Sequence, residues 1–464
     1  MEEKRMEILK TIVNYVLDLG AGIFMPVIMF LLSLVVRMPL KKNITAALTL
    51  GVAFTGISLV MGFMTDAISP AAQQLVKHTG IKLTALDVGW PPLSAISWAW
   101  PLAFLMFPYQ IRINIVILIF KWTDTLNVDM WNVWNKILTA VLIYFVSKNM
   151  ILAFIGAGVQ IILELKNGDL IQKSVEEATG IPGVTVTHPH ALVAMPMTYL
   201  DMVLDRIPGI KDVHLDAATM KKKVGIFGEN HIMGFILRIF IAILAGYNFK
   251  KTLVLGVQAA TALLLLPMVA KLFMEALAPF SDATSNFVKK RFPGRDFIIG
   301  LDWPILAGRP EIWVVMILII PIILLMAFII PGNSILPFGG ILMTGLAFTT
   351  LLVTRGDMVK MLILSILLIP VFLWVGSYLA PGITDLAKAV GGIDIPAGQM
   401  ITRMGIEAPI FRYAIIEASK VTIGSYIGIL YILLYAAGWF GYRKIMLKRN
   451  KQLSAGTKED SVEE

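Results

Sequence analysis

Along the chain, long apolar runs alternate with short polar interruptions, and the runs have the length of a bilayer crossing. Residues 44–64 and 313–330 are almost free of charge, and roughly 20 such residues at 1.5 Å rise match a hydrocarbon core of about 30 Å. The pattern predicts membrane helices near 12–36, 44–65, 93–120, 136–164, 231–247, 252–277, 312–330, 338–354, 359–379 and 423–442. Between 165 and 228 it turns polar, with Lys166, Asp169, Lys173, Glu176, Glu177, Asp201 and Asp205. Apolar residues there recur at helical spacing from Leu192 to Leu204, as in an interfacial connector.

The two hydrophobic halves on either side resemble each other. LKKNITAALTLGVAFTGISLVMGFM at 40–64 aligns with FKKTLVLGVQAATALLLLPMVAKLF at 249–273, so that Lys41 and Lys250 lie 209 positions apart. The match continues from AISPA at 67–71 into ALAPF at 276–280, and resumes at LDVGWP and LDWP, where Asp87 and Asp302 are 215 apart. Shared apolar composition can imitate the first part of this match, but not an Asp followed by Trp-Pro in both halves. Duplicated halves with a site at their interface are characteristic of transporters. The expected architecture is an all-α polytopic membrane protein with about 10–12 membrane helices and re-entrant, proline-broken segments. It divides into a first membrane repeat (1–164), a polar connector (165–228), a second repeat (229–400) and a C-terminal helix with a charged tail (401–464).

Composition strengthens this reading: 57% of the 464 residues are hydrophobic and 15% charged, outside the balance of soluble domains. The net charge of +9 collects at segment ends, including Arg37 to Lys42, Lys221 to Lys223, Lys289 to Arg295 and Arg443 to Lys451. That distribution fits positive-inside topology and contact with anionic lipid, and the last cluster points to a cytoplasmic C-terminus. The N-terminal MEEKRMEILK carries both signs of charge and no small-residue cleavage site follows, so it reads as a retained interfacial segment. With no cysteine, the chain has no disulfide, thiolate metal site or phosphocysteine of its own. It carries no Walker loop, GxGxxG or HExxH, and no cofactor is expected.

Against this apolar background the buried ionisable and amide residues are the candidates for function, because such groups in hydrocarbon face a cavity or a partner. Asp87 and Asp302 adjoin Trp-Pro, where the proline removes a backbone donor and breaks the helix; Trp90 stands beside the first. Freed backbone groups are tolerated there if they line a wet cavity, although each Asp could instead cap a helix at the surface. In KWTDTLNVDMWNVWN, 121–135, helical spacing places Asp129, Asn132 and Asn135 on one face, with Trp131 and Trp134 beside it. Carboxylates and amides next to indoles suit a sugar or polyol, while an interfacial aromatic belt is the alternative for the tryptophans. His188 and His190 in THPHA could bond a solute at the mouth of a re-entrant segment or belong to a plain connector. No third ligand accompanies them, so a metal is not expected. Glu311, in GRPEIW at 308–313 after Asp302, can contact solute or pair with Arg309, and Asn333 is the strong polar side chain of the turn PGNSILPFGG.

Taken together, DLGAGIFMPV, ISPAAQ, LDVGWP, NVDMWN, ILAGYN, IIGLDWP and PGNSILPFG resemble the galactitol-type IIC permeases of the bacterial sugar phosphotransferase system, within the ascorbate and galactitol group. The resemblance covers about 12–440. It implies a homodimeric, elevator-type carrier in the bacterial cytoplasmic membrane, with a dimerising scaffold and a mobile core. It also implies separate partners, IIA carrying phosphohistidine and IIB carrying phosphocysteine, so that the solute is phosphorylated off this chain and the chain itself is not an enzyme. Asp87, Gly89, Trp90, Asp129, Asn132, the His188 region and Asp302 are the residues it implies for the cavity. The sequence departs from the family pattern at Asn135, where a histidine is expected, and in the order Thr-His-Pro-His, which bears on which polyol is carried. Two other classes remain open: an H⁺- or Na⁺-coupled secondary transporter in which Asp87, Asp129 or Asp302 binds the ion, and an integral-membrane enzyme using Asp302 and Glu311 as acid and base.

Overall fold

The computed structural model describes most of the chain from Ala21 to Asp460. Outside the described residues lie 1–10 and most of 12–20, the stretches 64–82, 211–230, 292–296, 391–394 and 396–399, the end from 461, and scattered single positions. The N-terminal segment, the AISPA and ISPAAQ motifs, the Lys221 cluster and Trp131 therefore lie outside the described residues.

Twelve helices and six short strands are described. In order they are α1 (Ala21–Val35), β1 (Ala85–Asp87), α2 (Trp90–Trp98), α3 (Met106–Ile119), β2 (Thr125–Asn127), α4 (Val133–Ser147), α5 (Met150–Thr179), β3 (Val184–Val186) and α6 (Ala194–Leu204). Then follow α7 (Phe249–Arg291), β4 (Ile298–Leu301), α8 (Pro310–Ile329), β5 (Ile335–Leu336), α9 (Thr344–Thr354), α10 (Met358–Val390), β6 (Met400–Thr402), α11 (Pro409–Ser419) and α12 (Ile427–Asp460). Among the described residues, α5, α8 and α10 are long and apolar enough to cross a bilayer.

The order strand, short helix or 3₁₀ turn, helix, strand, helix, long helix, strand, helix occurs from β1 to α6 and again from β4 to α11, as a duplication would give. The helices α2, α6, α9 and α11 have only 9 to 11 residues, about 14–16 Å at 1.5 Å per residue, half of what a crossing needs. They form the broken segments that the Trp-Pro and Pro-rich stretches predict. β1 ends at Asp87 and turns through Gly89 at φ +76°, a conformation that favours glycine. β4 ends before Asp302, whose extended backbone caps a short 3₁₀ turn with Pro304 in its first positions.

The strands tie the halves to each other. β1 pairs in parallel with β5 and β6, so a strand of the first half is the centre of a sheet whose edges belong to the second. β4 of the second half pairs in parallel with β2 and β3 of the first. Each half therefore closes its sheet only with the other's central strand. Strands this short leave little alternation for the sequence to show, and an all-helical reading passes over them.

Several features differ from the hydrophobic pattern, among them the run over 93–120, which is split between α2 and α3. The run read as one helix over 136–164 is broken after Ser147: Lys148 adopts φ +53° and the Asn149 side chain caps α5 by accepting from Leu152 N at 3.1 Å. Helix α5 then continues through residue 164 to Thr179, so that the polar stretch beginning at 165 opens as the second half of a long helix. Its charges are spent locally: Asp169 accepts from the Thr123 and Thr125 hydroxyls and from Asp124 N.

The apolar core has two parts, one around α8, α9 and α10 and one around α2, α4 and α5. Residues of α5 and α10 contribute to both.

Candidate functional site

Asp129, Asn132 and Asn135 come together at the start of α4. Asp129 accepts from Asn132 N at 3.1 Å and from Asn132 Nδ2 at 2.7 Å, and its own N–H donates to Asn127 Oδ1 at 2.8 Å. The carboxylate thus fixes the turn at Asn132 that leads into α4. One turn on, Lys136 pairs with Glu164 of α5 at 2.5 Å, both fully buried, and donates to Asn132 O at 3.2 Å. Asp302 faces this group, with Asn132 and Asp129 as its polar neighbours.

The two repeat-related aspartates are used differently. Asp87 accepts from Gly89 N at 3.1 Å, Met404 N at 3.3 Å and Gly340 N at 2.8 Å, and so fastens β1 to two loops of the second half. A Cβ at Gly340 would approach Asp87 Oδ1 to 2.7 Å, so glycine is what lets this carboxylate reach its donor. Asp302 accepts from the adjacent Trp303 N at 2.7 Å and turns toward the amide of Asn132.

His188 and His190 lie in the same region, both buried. His188 Nδ1 accepts from His190 N at 3.1 Å, and the two rings stack with centroids 5.3 Å apart. His190 also stacks on Phe372 at 6.0 Å, and Phe348 presents its edge to both histidines while stacking on Trp303. These rings form an apolar wall beside the polar groups. Gly345 of α9 packs directly on the His190 ring, where any side chain would collide.

The opposite wall comes from residues that the sequence reading passed over. Strand β6 leads into Arg403 and GIEAP, and α11 carries Arg412. Glu407 is in contact with Arg403, lies 4.0 Å from His190 Nδ1 and 3.9 Å from Arg412 Nη1. Arg403 also sits over the Trp134 ring at 5.8 Å. Among the described residues several buried atoms here have no hydrogen-bond partner: Asn135 Nδ2, both ring nitrogens of His190, Glu407 Oε2, Arg403 Nε, Arg412 Nη1 and Trp134 Nε1. Leaving such groups unpaired costs about 1–3 kcal/mol each, so their concentration in one place makes this cluster the candidate site for a polar guest.

Glu407 also supplies the third ligand that a metal reading of THPHA lacked, with His188, His190 and Glu407 offering atoms within 4.8 Å of one another. Two guanidinium groups against that carboxylate oppose a divalent cation there, since like charges at this distance repel strongly away from water.

Other predicted residues lie elsewhere or are engaged. Glu311 accepts from Arg309 at 2.7 and 3.1 Å. Asn333 braces its turn, donating to Ala327 O and Ile335 O and accepting from Ile335 N and Ser377 Oγ. Trp90 begins α2 with 41% of its surface exposed.

A helical protein with apolar spans of membrane length and a cluster of unpartnered polar groups in its interior fits the class of membrane solute carriers. Residues 15–398 match the model of the family described as PTS system sugar-specific permease component, and the chain belongs to that family. It is 31% identical over 395 residues to the PTS system galactitol-specific EIIC component of Escherichia coli strain K12, covering 85% of this chain and 87% of that protein. The same figures hold for the protein of that name from Escherichia coli O157:H7. A putative permease IIC component of strain K12 is 31% identical over 380 residues, 82% of this chain and 87% of its own length. The chain is thus a membrane permease component and not the phosphotransfer catalyst.

Proposed function

We propose that the chamber between Asp302, Asn132, Asn135, His190 and Glu407 binds galactitol or a closely related hexitol, and that the permease releases it to a separate IIB protein for phosphorylation. The observation that carries this reading is the mixture of unpartnered donors and acceptors beside an aromatic wall. Each hydroxyl of a polyol both donates and accepts, so one molecule can satisfy amide, imidazole, guanidinium and carboxylate together, while its C–H faces rest on the rings. The sequence relatives named for galactitol point the same way.

The partners in this reading are IIB and IIA proteins, lipid, and a second copy of the chain. The C-terminal cluster Arg443 to Lys451 faces the cytoplasm. Because the sheets join both halves, the chamber moves as one body, as an elevator-type carrier requires. Rocking one repeat against the other would break both sheets.

A thermal-shift panel of hexitols, pentitols and ascorbate on the purified protein tests the substrate. A ligand that binds only the native state stabilises it by about 2.7 kcal/mol at a hundred times its Kd, so galactitol is expected to raise Tm and ascorbate to leave it unchanged. No shift with any hexitol overturns the reading. Uptake into vesicles that follows an imposed proton gradient, and ignores phosphorylated IIB, would favour an ion-coupled transporter.

A second expectation concerns Gly345. On helix propensity alone Gly345→Ala would stabilise α9 by up to about 1 kcal/mol. Its Cβ, however, enters the space of the His190 ring. The variant is therefore expected to lose most of the galactitol-dependent Tm shift; a full shift would show that His190 can move without consequence.

A further inference from the structure

Arg412 belongs to none of the motifs above, yet it is among the largest completely buried side chains described. Its guanidinium reaches three residues of the chamber at once. Nη2 donates to Asn135 O at 3.1 Å and to Asn135 Oδ1 at 3.2 Å, Nε donates to Thr139 Oγ1 at 3.1 Å, and Nη1 stands 3.9 Å from Glu407 Oε2. Behind it the chain of bonds continues: Thr139 Oγ1 donates to Gln160 Oε1 at 2.6 Å, Gln160 Nε2 donates to Glu164 Oε1 at 2.8 Å, and Glu164 pairs with Lys136.

This chain has a direction. A guanidinium only donates, so the atom it meets on Asn135 must be the amide oxygen. The amide nitrogen then points away from Arg412, and it is this atom, Nδ2, that is buried without a partner among the described residues. The hydroxyl of Thr139 is fixed the same way, accepting from Arg412 and donating to Gln160. Glutamate and arginine at the two ends leave no arrangement in which Asn135 could turn over without stranding a guanidinium N–H in the interior.

We propose that Arg412 is a positioning residue of the substrate site: it orients the Asn135 amide so that the chamber presents an N–H donor there and reads a hydroxyl oxygen of the substrate as an acceptor. The inference rests on the polyol reading above and deepens it, because it assigns a polarity to one subsite and places the device that sets it on the opposite repeat.

The test is Asn135→Asp, which keeps the shape and the contact with Arg412 while replacing the N–H donor by an acceptor. If Asn135 served only to hold Arg412, the variant would bind galactitol as the wild type does, with an equal or higher Tm, since a carboxylate pairs better with a guanidinium. The proposal instead expects Tm to be kept and galactitol to bind at least tenfold more weakly. Arg412→Lys, measured alongside, keeps the positive charge near Glu407 but not the two-pronged hold on Asn135. It is expected to weaken binding and to change the ranking of hexitol epimers. If wild type binds galactitol and Asn135→Asp binds it within twofold with the same epimer ranking, the polarity assignment is overturned and the polyol reading stands. If wild type binds no hexitol, both fall.

Discussion

Asp302→Asn is expected to weaken hexitol binding tenfold or more while the protein stays folded. The substitution is isosteric, and the amide oxygen can still accept from Trp303 N, so the 3₁₀ turn after β4 keeps its cap. What is lost is the charge on the side turned toward Asn132 and the chamber. A hydrogen bond to a charged group contributes about 1.5–3 kcal/mol, which is tenfold to more than a hundredfold in Kd. Titration calorimetry on the purified variant, with its Tm as control, reads the effect. Unchanged affinity in well-folded protein would remove Asp302 from the site. Asp87, whose carboxylate accepts from Gly89 N of its own turn and from one backbone N–H in each of two loops of the second half, serves as the contrast, because its role lies in the scaffold.

Lys136→Met is expected to be the most damaging single change for stability. The Lys136 and Glu164 side chains are buried to 0% and 1% exposure and meet at 2.5 Å. Removing one partner strands the other as an uncompensated charge, at a cost of about 3–5 kcal/mol, whereas replacing both with apolar groups of similar volume is often neutral. Thermal unfolding in detergent should show a large drop for Lys136→Met and recovery of most of it in the double variant Lys136→Met with Glu164→Leu. A single variant as stable as wild type would mean that Glu164 finds another partner or a proton at little cost. The double variant is also informative about the site, since Glu164 ends the chain of bonds that begins at Arg412.

Much of the candidate site is legible in the sequence because hydrocarbon makes polar residues conspicuous. NVDMWN, THPH and the two Trp-Pro aspartates stood out against apolar neighbours, and the structure brings Asp129, Asn132, Asn135, His188, His190 and Asp302 into one region. Glu311 and Asn333 stood out for the same reason but are satisfied locally, by Arg309 and by their own turn, a distinction that needs distances. The helical character followed from run length, and the break at Lys148 and Asn149 was masked by the apolar residues on both sides. The strands were not legible, since two to four residues show no period and their partners are distant in the chain.

Arg403, Glu407 and Arg412 stand in none of the conspicuous motifs, yet the sequence carries a signal for them. The resemblance between the halves extends past Asp302 to a third strand: β3 leads into His188 as β6 leads into Arg403. In that alignment the segment after Thr402 is the counterpart of THPH, and Glu407 in it lies 4.0 Å from His190 Nδ1.

The exchange of central strands also constrains how the polypeptide is built. When the ribosome has delivered the first half, the edges of β1 have no neighbours, because Ile335 and Met400, opposite Ala85 in register, have yet to be made. Bare strand edges within a bilayer are costly, so the early segments must wait in a provisional arrangement until the last third of the chain is inserted. Synthesis and closure are thereby coupled, and a chain truncated before Met400 would leave β1 without its β6 neighbour and Asp87 without the Met404 N–H.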